Sequence, residues 1–285
     1  MADITDHRPP LTITGTLASW ADRLRDKSRS TVECYLRDIR FVADTMASTL
    51  GRQAVPQDLM DLGTHDLAAL VACWRDAPST CRRRLVSIRR YGLMLANTCG
   101  MTGPLLHAGF PRIDVRTEGP VLEADLLALA APTGNRMDWT VLRDDAILTL
   151  VMERGLTTGE LNLIDCRHLT GPLLLVRNPS GKARFVELSA KAAEGIDAYR
   201  SRCPYPVASE GALWLNTLGG RMSPRSLQLM IRRRRALAHL SPGVVAGSFR
   251  RHRIRSLAAS GMPPDRIARQ MGIGAGTVLV HLAAG

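Results

Sequence analysis

Between residues 221 and 269 the chain carries twelve arginines and a single acid, Asp265. So lopsided a segment fits a folded domain as helices that bury a narrow apolar stripe and leave their cations outside. The stretch GSFRRHRIRSLAASG, residues 247–261, shows the pattern. It holds four arginines, one histidine and no acid, and Ile254, Leu257 and Ala258 fall on one helical face. Three uses of the cationic remainder stand open: a solvated surface, an anion-binding surface, or an active site.

The charge of the whole chain narrows the choice. Net charge is +12 over 285 residues, which points to a polyanionic partner. Lysine occurs only at positions 27, 182 and 191, so arginine supplies nearly all of the excess. The planar guanidinium fork suits phosphate. Residues 1–116 hold sixteen basic and twelve acidic residues, and the rest of the chain holds twenty-two and fourteen. The six cysteines form no CxxC pair and stand beside no histidine at ligand spacing, so neither a metal site nor a disulfide framework is expected, and no cofactor. No apolar run has the length of a membrane span, and MADITDHRPP lacks the basic start and apolar stretch of a signal peptide. These features read as a soluble, cytoplasmic, nucleoid-associated chain of a bacterium, with no membrane contact and no small-molecule substrate.

The patterning divides the chain into a flexible arm over 1–15, a four-helix domain over 16–100, a linker over 101–120 and a second domain over 121–285. The linker assignment rests on three prolines and three glycines. In the second domain, apolar runs at 173–176 and 185–188 flank Asn-Pro-Ser-Gly, a hairpin signal. ALWLN, 212–216, reads as a third strand. The fold class is therefore mainly α with a small antiparallel β-hairpin sheet.

The candidate phosphate contacts fall in groups. Lys27, Arg29 and Arg37 accompany the hydroxyls Ser28, Ser30 and Thr31 at one helix start. Arg82, Arg83, Arg84, Arg89 and Arg90 follow Thr80 at another. Helix starts with hydroxyls and flanking cations suit phosphate, and capping with solvated charge is the plainer alternative. The second domain adds Lys182 and Arg184 on the hairpin, Arg221, Ser223 and Arg225 at a helix start, and Arg232, Arg233 and Arg235 within that helix. Arg250, Arg251, His252 and Arg253 complete the set.

Several blocks in order resemble the tyrosine recombinase (phage integrase) family, from about Leu17 to Leu282. SRSTVECYLRDIRFV and STCRRRLVSIRRYGLML resemble DNA-facing helices of its SAM-like core-binding domain. RGLTTGEL, GKARFVEL, SFRRH and MGIGAGTVLVHL resemble blocks of its catalytic domain. The resemblance implies two domains that clamp a DNA duplex, with no metal. A tyrosine attacks a phosphate while arginines, a hairpin lysine and His-type residues stabilise the transition state. At the corresponding positions this chain has Thr157, Lys182, Ser248, Arg251, Ile273 and Leu282. The expectation drawn from these occupants is a chain without catalytic residues and without enzyme activity. It would be a sequence-specific binder of double-stranded DNA that regulates transcription, such as that of a mobile element. Two alternatives accompany it: a non-catalytic accessory subunit beside an active recombinase, and an active recombinase with a rebuilt site using Ser248, Ser256 or Thr277. Either transcription machinery or an active recombinase is then the protein partner.

Overall fold

The computed structural model describes residues 11–113, 121–132, 138–206 and 210–283. The chain forms two compact units, Met1–Arg116 and Thr117–Gly285.

In the N-terminal unit, α1 (Ile13–Arg23) starts at Thr12, whose hydroxyl accepts the Gly15 N–H at 3.1 Å. Ile13 is fully buried, so residues 13–15 belong to this helix and not to an arm. Residues 1–10 of the expected arm lie outside the described residues. Ser28 caps α2 (Arg29–Leu50), which ends where Gly51 turns left-handed. The short α3 (Pro56–Met60), α4 (Thr64–Ala72) and α5 (Pro78–Cys99) follow. The five residues of α3 are too few to show a helical period, and it was not anticipated. Trp20, Ile39, Leu59, Leu67, Ile88 and Tyr91 form the centre of the core, with the Trp20 and Tyr91 rings edge to face at 5.0 Å.

The segment expected to be a linker is in part structure. Pro104–Leu106 form a 3₁₀ turn that seats Leu105 and Ala108 in the N-terminal core. Gly103 lies so close to α3 that a Cβ there would sit 2.3 Å from the Met60 carbonyl oxygen. Gly103→Ala is expected to destabilise this unit by about 1–3 kcal/mol, because backbone must shift to admit the methyl. Thermal melting followed by circular dichroism measures it. An unchanged melting curve would show that the segment is not docked. Residues 114–120 lie outside the described residues.

The C-terminal unit opens with α6 (Glu123–Ala130), α7 (Trp139–Arg154) and α8 (Thr158–Asn162). An antiparallel sheet of order β1-β2-β3 follows, from β1 (Leu169–Thr170), β2 (Leu173–Arg177) and β3 (Ala183–Glu187), with Leu175 opposite Phe185. Asn178 makes the hairpin turn, its side-chain oxygen accepting from the Ser180 and Lys182 N–H groups. Residues 212–216 are not the third strand. They make two isolated bridges, Asp165 with Ala212 and Leu215 with Arg221, and bury Trp214; the edge strand is β1. Then come α9 (Ala190–Arg202), packed along α7, and α10 (Pro224–Leu237), α11 (Ala246–Ala259), α12 (Pro264–Met271) and α13 (Ala275–Ala283). The last three share a small core of Ile254, Leu257, Ile267, Met271 and Val278, which fixes the basic helix α11 against α13. No helix among the described residues is long and apolar enough to cross a membrane.

Candidate nucleic-acid interface

The structure separates the arginines into two populations. Arg84, Arg143, Arg234 and Arg250 are buried, and each meets an acid. Arg84 donates to Asp76 at 2.6 Å and lies 3.5 Å over the Phe41 ring. Arg143 pairs with Asp144 and Arg234 with Asp145. Arg84 therefore holds the N-terminal core together and is no surface contact. Its neighbour Arg83 is also turned inward, forking onto Asp38 through Nε at 2.8 Å and Nη2 at 2.7 Å. Ser87 donates to the same carboxylate at 2.9 Å, and Asp38 is 1% exposed. Removing one partner strands the other in the interior. Asp38→Ala is expected to cost the N-terminal unit about 3–5 kcal/mol, measured by urea unfolding of this unit; a loss under 1 kcal/mol would contradict the pairing.

Arg250 organises the C-terminal site. Its Nη1 donates to Glu160 at 2.9 Å and to the Gly155 carbonyl, and Nη2 donates to the Met271 carbonyl. Arg184 reaches the other Glu160 oxygen from β3, so one carboxylate joins α8, β3 and α11. Burial alone would raise the Glu160 carboxyl, but the Arg184 hydrogen bond and the two guanidinium charges outweigh it and hold the group below its ordinary range. Arg184 also lies against Gly272, where a Cβ would stand 2.7 Å from its Nη1. Its Nε and Nη2 are buried without a hydrogen-bond partner, as are the Nε atoms of Arg154 and Arg253. Cations thus outnumber acids at the junction of α7, α8, β3, α11 and α12.

Thr157 takes a local role. Its hydroxyl and N–H both donate to Glu160, and its oxygen accepts the Glu160 N–H, a reciprocal cap at the start of α8. Ser248 is buried at the start of α11, where its hydroxyl donates to the Gly243 carbonyl at 3.2 Å and accepts from Val245 N–H and from Arg251 Nη2. Arg251 is half-buried, and its Nη1 lies near Gly247 in the first turn of α11. Thr157, Thr158, Arg232, Arg235, Ala246 and Gly247 line a cavity of about 300 Å³ beside this turn. Ile273 and Leu282 pack on the small core beneath α11.

The other expected contacts distribute as follows. Arg82, Arg89, Arg90, Arg37, Lys182, Arg225, Arg232 and Arg233 are exposed, with Arg89 over Phe110 and Arg90 over Tyr35. Ser30 is exposed, and Thr31 and Thr80 are half-buried at their helix starts. Lys27 pairs with Asp26, and Arg29 with Glu33 at 2.9 Å on an open surface, contacts that solvent makes weak. Ser28 and Ser223 serve as caps. Arg221 is bound to Asp165 and to the Asn162 carbonyl. Arg235 donates to the Pro242 carbonyl, His252 lies 3.8 Å from Glu123, and Arg253 is partly buried beside Arg154. Among the described residues no group of His, Cys, Asp and Glu is placed to hold a metal.

No protein-family model matches the chain. It is similar to the tyrosine recombinase XerC of Methylobacterium sp. (strain 4-46), at 30% identity over 257 residues, covering 83% of this chain and 79% of the relative. The tyrosine recombinase XerC of Bradyrhizobium diazoefficiens is 27% identical over 255 residues, with 83% and 79% covered. Among solved structures, a Tn1549 transposon integrase in complex with transposon right end DNA superposes with a TM-score of 0.71 at 14% identity, over 95% of this chain and 94% of that one. A lambda integrase dimer bound to a COC' core site gives 0.69 at 14% identity, with 95% of each covered. These superpositions carry the fold.

The recombinase relatives overturn the expectation of a chain without enzyme activity. That expectation compared single positions along the sequence. In space, Arg184 and Arg250 converge on Glu160, three residues from Thr157, so a threonine at 157 does not empty the site of guanidinium. Nothing in the fold or the relatives supports a transcriptional regulator or a non-catalytic accessory subunit. The chain belongs to the tyrosine recombinase family.

Proposed function

We propose that this chain binds double-stranded DNA and rearranges its strands as a site-specific recombinase. One observation carries the proposal: Arg232, Arg235 and the first turn of α11 surround a cavity, Arg251 Nη1 lies near Gly247 of that turn, and Thr157 of the cavity lining is bonded to the Glu160 carboxylate that holds Arg184 and Arg250. A phosphodiester suits such a seat. Guanidinium forks and free N–H groups of a helix start both bind phosphate oxygens, and both stabilise the charge that grows as phosphorus takes a fifth oxygen. The relatives and the DNA-bound structural neighbours support the same substrate. The N-terminal unit carries exposed arginines of its own, Arg37, Arg82, Arg89 and Arg90. Cycles of capture from a randomised duplex library, followed by gel shift, test the binding. A convergent sequence bound with steep salt dependence is expected. Failure to enrich any duplex would refute the reading.

A further inference from the structure

A second basic cavity lies within the N-terminal unit. On α5, Arg82, Val86 and Arg89 recur at the helical period and share one exposed stripe. The segment after the 3₁₀ turn lies against that stripe. Ala108 is buried in the N-terminal core, the Gly109 N–H donates to the Thr64 hydroxyl at 2.9 Å, and Phe110 and Ile113 pack against the core half-buried. The segment is thus pinned in place. The cavity holds about 450 Å³, and its lining includes Arg82, Val86 and Arg89 from α5 and Phe110, Pro111 and Arg112 from the segment. That volume falls in the range of small-molecule sites, about 300–1,000 Å³.

Two properties of the lining point to its ligand. Its three arginines meet no acid: none of them makes an ion pair or a hydrogen bond among the described residues, and no acidic side chain lines the cavity. The Arg89 guanidinium also lies 4.6 Å from the centroid of the Phe110 ring, a flat cation backed by a flat apolar group. Unpaired guanidiniums call for an anion. A bare phosphate would leave Val86, Phe110 and Pro111 facing water, so the fitting ligand carries a flat, apolar part beside its charge. A nucleotide has both parts. Its base stacks on aromatic rings and guanidinium planes, and its phosphates suit guanidinium forks. In a paired duplex the base faces are covered by their neighbours, and only an unstacked nucleotide presents them.

We propose that this cavity receives one unpaired nucleotide of a DNA strand, with its base against Phe110 and Arg89 and its flanking phosphates on Arg82 and Arg112. Strand exchange parts base pairs before it forms new ones, so the reaction supplies such a nucleotide. Holding it keeps a parted strand from pairing again with its old partner.

The inference takes DNA as the ligand from the proposed function, and its test does not depend on duplex selection. Two pentadeoxynucleotides of equal charge compete for the full chain. One carries a single adenine among four abasic positions, and the other is abasic at all five. The adenine strand is expected to bind about tenfold tighter. Phe110→Leu keeps an apolar side chain but removes the ring, so it should bring the two strands within about threefold of each other while its melting curve stays that of wild type. Changing Arg82 and Arg112 together to glutamine should weaken both strands alike and make the salt slope shallower by about 1.4 units. Equal affinity of the two strands for wild type overturns the assignment, as does a base preference that survives in Phe110→Leu. Deoxyadenosine monophosphate competing as strongly as the adenine strand would make the ligand a free nucleotide and overturn the assignment to a DNA strand. A base preference lost in Phe110→Leu, found together with a failed duplex selection, would sink the proposed function and support this site.

Discussion

Replacing Glu160 by alanine is expected to lower the stability of the C-terminal unit by about 3–5 kcal/mol, because two guanidiniums then stay buried with no counter-charge. In thermal melting that is a drop of roughly 6–20 °C for a unit of this size. The same carboxylate makes stability pH-dependent. Its folded-state pKa is depressed, so its contribution is fully present above the unfolded value and is lost as pH falls through the lower folded value. Wild type should therefore lose stability on acidification more steeply than Glu160→Ala. Parallel acid titrations would contradict the assignment, as would a melting point within a degree of wild type. The double variant Glu160→Leu with Arg250→Met should recover part of the loss, since an apolar replacement of the whole pair removes the stranded charge.

The second large effect concerns DNA. On the proposed reading, Arg232 and Arg235 of the cavity and Arg251 of α11 contact DNA phosphate. Changing all three to alanine should make the slope of log affinity against log salt shallower by about three units. The loss should be similar on selected and random duplexes, because backbone contacts carry no sequence information. A control on the inward arginines separates charge from placement. Arg84→Met removes one positive charge but no DNA contact, so it should leave the slope unchanged while destabilising the N-terminal unit. An equal slope change per charge removed in both variants would mean that net charge, not this face, governs binding.

The division of the arginines was legible in the sequence, though composition hid it. Arg84 shares the helical stripe of Cys81, Ile88 and Tyr91. Arg234 follows Leu227, Met230 and Ile231 at the same period, and Arg250 precedes Ile254 and Leu257 by one and two turns. A cation on an apolar stripe needs a buried acid, and Asp38 gives the same signal by lying among Tyr35, Ile39 and Val42. Counting charge within blocks read Arg84 and Arg250 as surface. The helix starts at Ser28, Ser189 and Ser223 follow from local capping rules. Residues 101–113 did not, because the turn there is held by contacts to α3 and α5 that no local pattern encodes. The convergence of Arg184 and Arg250 on Glu160 is likewise tertiary, joining residues 90 apart in sequence. Position-by-position comparison therefore misses this cluster.

The most direct test of the account is strand exchange itself. A plasmid carrying two copies of the selected duplex in direct repeat is incubated with the chain, and the products are separated by size. The account predicts two smaller circles whose sum is the parent, and their loss with Arg251→Ala. Parent plasmid recovered intact, under conditions where both sites are demonstrably occupied, would contradict it.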